Sequence, residues 1–191
     1  MLDNVGFLLS ETRPGQLPVC SAAVAFVGRS NVGKSSLLNA LCRKELARVS
    51  NLPGRTRAIN VFQTSPGHWL VDLPGYGYAG GPMAERAGWG AMIEEFLTGR
   101  PSLRMVFALV DAKIGPTKLD LQMAAWLRDQ GLPWRAVATK ADQVGPSRAQ
   151  GRRREAALAL GIAPAELRWT SAKDGFGVRE LRGEVAALLA P

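Results

Sequence analysis

Residues 28 to 36 read Gly28-Arg29-Ser30-Asn31-Val32-Gly33-Lys34-Ser35-Ser36. The first eight fit the pattern G-x-x-x-x-G-K-[ST]. Glycines at its two ends let the backbone curl until successive N–H groups point inward, a cradle suited to phosphate. A helix starting near Lys34 adds the positive end of its dipole. Lys34 is the cation that reaches the β- and γ-phosphates of a nucleotide, and the Ser35 hydroxyl is the expected Mg²⁺ ligand. The setting supports this reading. Ala22 to Val27 is a short apolar run before the loop, and Ser35 to Cys42 carries Leu37, Leu38 and Leu41 at helical spacing after it. The order is strand, loop, helix.

Outward from this loop the rhythm repeats. Ile59 to Gln63 and His68 to Asp72 read as strands around the turn Ser65-Pro66-Gly67, and the joint is too tight for a parallel crossover. Strands are expected at Leu103 to Asp111, Trp134 to Thr139 and Leu167 to Thr170. Helices are expected at Ala84 to Leu97, Leu119 to Gln130, Ser147 to Leu160 and Val178 to Leu189. Alternating strands and helices predict an α/β fold, a mostly parallel six-stranded sheet with one antiparallel strand and helices on both faces. Residues 1 to 21, with Pro14, Gly15 and Pro18, read as an irregular N-terminal arm, and 22 to 191 as a single domain. Arg43 to Arg57 reads as a loop, and Pro74 to Pro82 as a Gly-rich stretch. Trp89, Trp126, Trp134 and Trp169 are expected to pack in the core or against the sheet.

Further motifs follow the expected strands. Asp72-Leu73-Pro74-Gly75 closes the second strand of the hairpin. Asp72 suits a water on Mg²⁺, and the Gly75 N–H suits an approach to the γ-phosphate. Thr139-Lys140-Ala141-Asp142 comes next. A carboxylate there accepts from guanine N1–H and its exocyclic amine, a donor pair that adenine lacks. The Lys140 stem covers the base. Ser171-Ala172-Lys173 offers the Ala172 N–H to the guanine carbonyl. Each motif is weak alone; in this order they point to guanine nucleotide, GTP or GDP.

Composition narrows the class without naming a partner. The 191 residues suffice for one domain. Apolar runs are of strand length, which predicts no membrane insertion, and the N-terminus has no secretion-signal pattern. Cys20 and Cys42 lie outside any metal-ligand spacing, and the only histidine is His68, so two reduced cytoplasmic thiols are expected. A formal charge of +8 suits an anionic partner but does not separate RNA, DNA and lipid. Arg152-Arg153-Arg154 is the densest basic run, either an rRNA contact or a solvated helix face.

Over about Ala23 to Leu189 the sequence resembles the EngB family (also called YihA or YsxC) of ribosome-assembly GTPases, translation-factor-type P-loop proteins with a Ras-like G domain. The segments that carry the likeness are Gly28 to Ser36, Pro53-Gly54-Arg55-Thr56, Asp72-Leu73-Pro74-Gly75-Tyr76-Gly77-Tyr78 and Thr139-Lys140-Ala141-Asp142. Thr139 stands where most GTPases use Asn, as the family does. The resemblance implies that Gly54, Arg55, Thr56, Arg57 and Ala58 form a switch segment on the nucleotide. In it the Thr56 hydroxyl ligates Mg²⁺ and its backbone senses the γ-phosphate. It also implies binding to the large ribosomal subunit and its rRNA and a link to septation; apart from the resemblance, a monomer is expected.

The chemistry expected from this is GTP hydrolysis, with Lys34, Thr56, Gly75 and Asn31 as its residues. Tyr76 occupies the position where many GTPases put a water-orienting Gln, so slow intrinsic turnover raised by a partner is expected. Asn31 resembles the residue that helps hold K⁺ beside the phosphates in related GTPases; it equally suits a tight turn. Tyr76, Tyr78 and Met83 form either a docking surface or a packed one. Two other readings compete: a binding module with negligible hydrolysis, which Tyr76 favours, and a septal recruiter, which the lack of a basic amphipathic helix disfavours.

Overall fold

The computed structural model describes residues 2–46, 58–77 and 83–190, with side chains for all of these except 83–89. Strand β2 (Ala22–Gly28) is apolar and buried along its whole length, which fits a strand covered on both faces. Around it lie β1 (Gly6–Glu11), β3 (Ile59–Ser65), β4 (His68–Asp72), β5 (Leu103–Asp111), β6 (Trp134–Thr139) and β7 (Arg168–Trp169). They form one sheet in the order β1-β3-β4-β2-β5-β6-β7. Strand β3 runs against both of its neighbours, and the pairings from β4 to β7 are all parallel.

Alternation along β2 divides the core in two. Ala22, Val24 and Phe26 face α1 (Lys34–Cys42) and α5 (Val178–Leu188), where Phe26 stacks on Phe107 at 5.0 Å. Ala23, Ala25 and Val27 face the opposite layer, which holds Ile93, Phe96 and Leu97 of α2 (Met83–Thr98) and Leu127 of α3 (Lys118–Asp129). Helix α4 (Pro146–Leu160) closes that layer through Ala156, Ala157 and Leu160, against Ala136 and Ala138 of β6. Trp169 is buried and Trp126 and Trp134 are partly so, as expected of packing residues; the Trp89 side chain lies outside those described, and Trp69, not among the expected ones, is also buried.

The sheet differs from expectation at one edge. Among the described residues it has seven strands rather than six, because Gly6–Glu11, read as part of an irregular arm, pairs antiparallel with β3 from Gly6 opposite Gln63 to Glu11 opposite Ile59. Gly6–Glu11 is therefore part of the sheet. The physical reason is tertiary. Gly-Phe-Leu-Leu-Ser-Glu lacks strict alternation, has a register shift between Phe7 and Leu9, and is half-exposed at the sheet edge. Its strand state comes from the open edge of β3 rather than from its own pattern. Strand β7 is also shorter than the expected Leu167 to Thr170.

The parallel strands present their C-terminal ends on one edge. Order reverses around β2, which has β4 on one side and β5 on the other. In open α/β sheets, ligands gather in the crevice at such a switch point.

Candidate functional site

The loop after β2 is shaped by close approaches. A Cβ on Gly28 would lie 2.9 Å from Val32 Cγ1 and 3.0 Å from Leu109 Cβ, so only glycine fits there. Gly33 has φ 100° and serves as the N-cap of α1, and its carbonyl accepts the Leu37 N–H at 2.9 Å. Asn31 has φ 64°, a left-handed conformation that Asn tolerates better than most residues. The Lys34 amine is 7% exposed and donates to the Asp72 carboxylate, itself 1% exposed at the end of β4. A buried ammonium needs a counter-charge, and Asp72 supplies it. Ser35 and Ser36 follow on the first turn of α1, both partly exposed.

Leu73-Pro74-Gly75-Tyr76 leaves β4 and runs alongside the loop. The Leu73 N–H donates to Phe26 O at 3.1 Å, the Tyr76 N–H to Gly28 O at 3.2 Å, and the Ser30 N–H to Tyr76 O at 3.0 Å. A Cβ on Gly75 would come within 3.1 Å of the Ser30 backbone, so glycine allows this contact. The Tyr76 side chain turns away from the loop. Its hydroxyl donates to Asp120 Oδ1 at 2.8 Å.

The ends of β6 and β7 build the third wall. Thr139 is 3% exposed, and its hydroxyl donates to the Val32 carbonyl, with the Val110 carbonyl 3.1 Å away. Thr139 thus ties β6 to the phosphate loop, which explains how Thr serves at this position. Lys140 has φ 58°, and its amine donates to Asn31 O at 2.7 Å and Asp111 Oδ2 at 2.8 Å. The Lys140 stem lies beside Gly33, where a Cβ would be 3.6 Å from Lys140 Cε. Burial raises the Asp111 pKa, but the Lys140 hydrogen bond and the N–H groups of Ile114 and Lys113 outweigh it, leaving the carboxyl below its ordinary value. Asp142 is exposed, and the Ser171 hydroxyl donates to its Oδ1 at 2.9 Å. The Lys173 and Asp174 N–H groups approach the same hydroxyl at 3.3 and 3.4 Å.

Between the start of α1 and the ends of β6 and β7 lies a cavity of about 230 Å³, lined by Gly33, Ser36, Leu37, Thr139, Lys140, Asp142, Gln143, Thr170, Ala172 and Lys173. It holds several times the roughly 30 Å³ of one liquid water. The sheet edge therefore joins residues 28–36, 72–75, 139–142 and 171–173, with Ala141 anchored by its N–H to Thr170 O at 3.0 Å. Ala58 leads into β3. Gly54, Arg55, Thr56, Arg57 and Tyr78 lie outside the described residues. The sequence reading passed over Asp111 and Asp120. Asp111 ends β5 on the same edge, a signal as good as that of Asp72. Asp120 is visible only as the partner of Thr117 in the T-x-x-D start of α3. Among the described residues no group of three or more His, Cys, Asp or Glu could hold a metal, and no helix is long and apolar enough to cross a membrane.

A glycine loop at a helix N-terminus, with a cavity walled by a Lys-x-Asp turn beside it, fits one class, a P-loop GTPase. Known proteins agree. The family described as "50S ribosome-binding GTPase" matches residues 23–140. The probable GTP-binding protein EngB of Pelotomaculum thermopropionicum is 50% identical over 149 residues, 77% of this chain and 75% of that protein. That of Geobacter sp. (strain M21) is 42% identical over 196 residues, 100% of this chain and 90% of its own. A crystal structure of a probable GTP-binding protein EngB superposes with TM-score 0.72 at 23% identity, covering 88% of this chain and 98% of that one. The chain belongs to the EngB family of GTP-binding proteins.

Proposed function

We propose that this GTPase is a cytoplasmic switch in assembly of the large ribosomal subunit, with an indirect link to septation. The observation that carries the reading is the guanine-type cavity opening onto the phosphate loop, in a chain whose family is described as ribosome-binding. In it, Gly28 to Ser36 cradle the phosphates, and Lys34 leaves Asp72 to meet the β- and γ-oxygens. Asp142 reads the guanine edge, oriented by Ser171, while the Lys140 stem covers the ring and the Ala172 N–H meets the carbonyl.

The donor set suits Mg²⁺. A hydroxyl at Ser35, one at Thr56 and the Asp72 carboxylate are hard oxygen donors, too few for an all-protein cage, and Mg²⁺ is typically held by few carboxylates plus water and phosphate. Held by these residues, Mg²⁺ would supply positive charge against that developing on the phosphoryl oxygens. The family likeness assigns Gly54 to Ala58 to nucleotide contact, and the Gly75 N–H suits the γ-phosphate. The Tyr76 hydroxyl is engaged with Asp120, which supports slow intrinsic turnover. Asn31 is exposed on the loop with an amide oxygen of the kind K⁺ prefers, so faster turnover in K⁺ than in Na⁺ belongs to this reading.

The +8 charge favours an RNA-rich partner. Arg152 and Arg154 are exposed, whereas Arg153 turns inward to donate to Leu167 O at 2.8 Å. Co-sedimentation with large ribosomal subunits at two salt concentrations tests the reading. Binding should be stronger with a non-hydrolysable GTP analogue than with GDP, and should fall as salt rises. Charge reversal at Arg152 and Arg154 should weaken it with either nucleotide. Binding indifferent to nucleotide would overturn the switch.

A further inference from the structure

We propose that Asp120 is a positioning residue for GTP hydrolysis, holding the phosphate loop and the Gly75-Tyr76 segment together through Arg29 and Tyr76. This rests on the reading that Gly75 faces the γ-phosphate.

The carboxylate is 3% exposed at the first turn of α3 and has partners on three sides. Its Oδ1 accepts the Tyr76 hydroxyl at 2.8 Å. Its Oδ2 accepts the Thr117 N–H and the Thr117 hydroxyl, each at 2.8 Å. The same oxygen lies 3.4 Å from Arg29 Nε, a buried atom with no hydrogen bond of its own. The Arg29 guanidinium is therefore held by charge attraction to Asp120. Arg29 is the second residue of the phosphate loop, and Tyr76 directly follows Gly75. Their backbones pair as an isolated bridge between the two segments.

A helix cap alone would need only Thr117 and Asp120. Here Oδ1 is committed outward to Tyr76, and Oδ2, besides making the cap, faces Arg29, so the carboxylate reaches both chain segments that flank the place where a γ-phosphate would sit. Burial and the neighbouring carboxylate both push the Tyr76 phenol well above its usual pKa, so it stays a donor across the physiological range. Gly75 has no side chain with which to fix itself, and among the described residues its carbonyl accepts the Ser30 hydroxyl at 3.4 Å. Its place relative to the loop is thus set by the residues on either side. Asp120 anchors the later one. Such pre-placement matters because catalysis of phosphoryl transfer is mostly positioning and electrostatics.

The test compares Tyr76→Phe, Asp120→Asn, the double variant and Thr117→Ala, using single-turnover GTP hydrolysis and GDP affinity. Tyr76→Phe removes one hydroxyl and keeps the ring, so it preserves folding even if Asp120→Asn does not. We expect the hydrolysis rate to fall about tenfold in both single variants, with GDP affinity within about twofold of native. The double variant should be no slower than the slower single one, because both cut the same link. Thr117→Ala loosens the helix cap and should lower thermal stability without changing the rate. Native-like rates in Tyr76→Phe would overturn the proposal. So would an equal rate loss in Thr117→Ala, which would reduce Asp120 to a helix cap. A native protein that does not hydrolyse GTP would instead refute the underlying reading of the site.

Discussion

Asp142→Asn should weaken GTP and GDP binding by about 10²–10⁴-fold and shift preference to xanthine nucleotides. Two hydrogen bonds to a carboxylate, each worth about 1.5–3 kcal/mol, underlie that range. The Ser171 hydroxyl already fixes one carboxylate oxygen at 2.9 Å, so the group is oriented before any base arrives. An amide in its place puts a donor toward the guanine amine, and two donors then face each other. Xanthine carries a carbonyl at that position and accepts from the new amide. Titration of the variant with GDP and with xanthosine diphosphate measures the exchange. A variant that still prefers GDP would mean that Asp142 does not read the base.

Lys34→Met should act on two levels. In the ligand-free protein it leaves Asp72 buried without its cation, and breaking one side of a buried pair costs about 3–5 kcal/mol. Both side chains are more than nine-tenths buried, so little of this is screened by solvent. Nucleotide affinity should also fall by more than tenfold, since the phosphates lose a buried cation. Urea unfolding without nucleotide separates the two effects. Adding Asp72→Asn to Lys34→Met should recover most of the stability and none of the affinity. A single variant as stable as the native protein would show that the pair is not formed in solution.

How far the sequence revealed this site depended on range. The loop from Gly28 to Ser35 is local chemistry, and its strand and helix neighbours carry clear periods. Strands β4, β5 and β6 begin and end where pattern reading puts them, because each is an apolar run bounded by a turn or a charged residue. Strand β1 was not legible, since Phe7 and Leu8 are both exposed and the strand state is set by β3, some fifty residues away. The same limit hid the wiring of the site. That Thr139 would bond the Val32 carbonyl, that Lys140 would bridge Asn31 and Asp111, and that Asp120 would face both Arg29 and Tyr76 are facts of tertiary placement. Residue type announced the candidates; only the fold decided which of them meet.

The most direct check of the central claim is calorimetric titration of the native, nucleotide-free protein with GDP and with ADP in the presence of Mg²⁺. A site that reads guanine through Asp142 should bind GDP at least about 10³-fold more tightly than ADP, as expected when a carboxylate covered by the bound base is left without its pair of donors. Equal affinity for the two diphosphates would contradict the account.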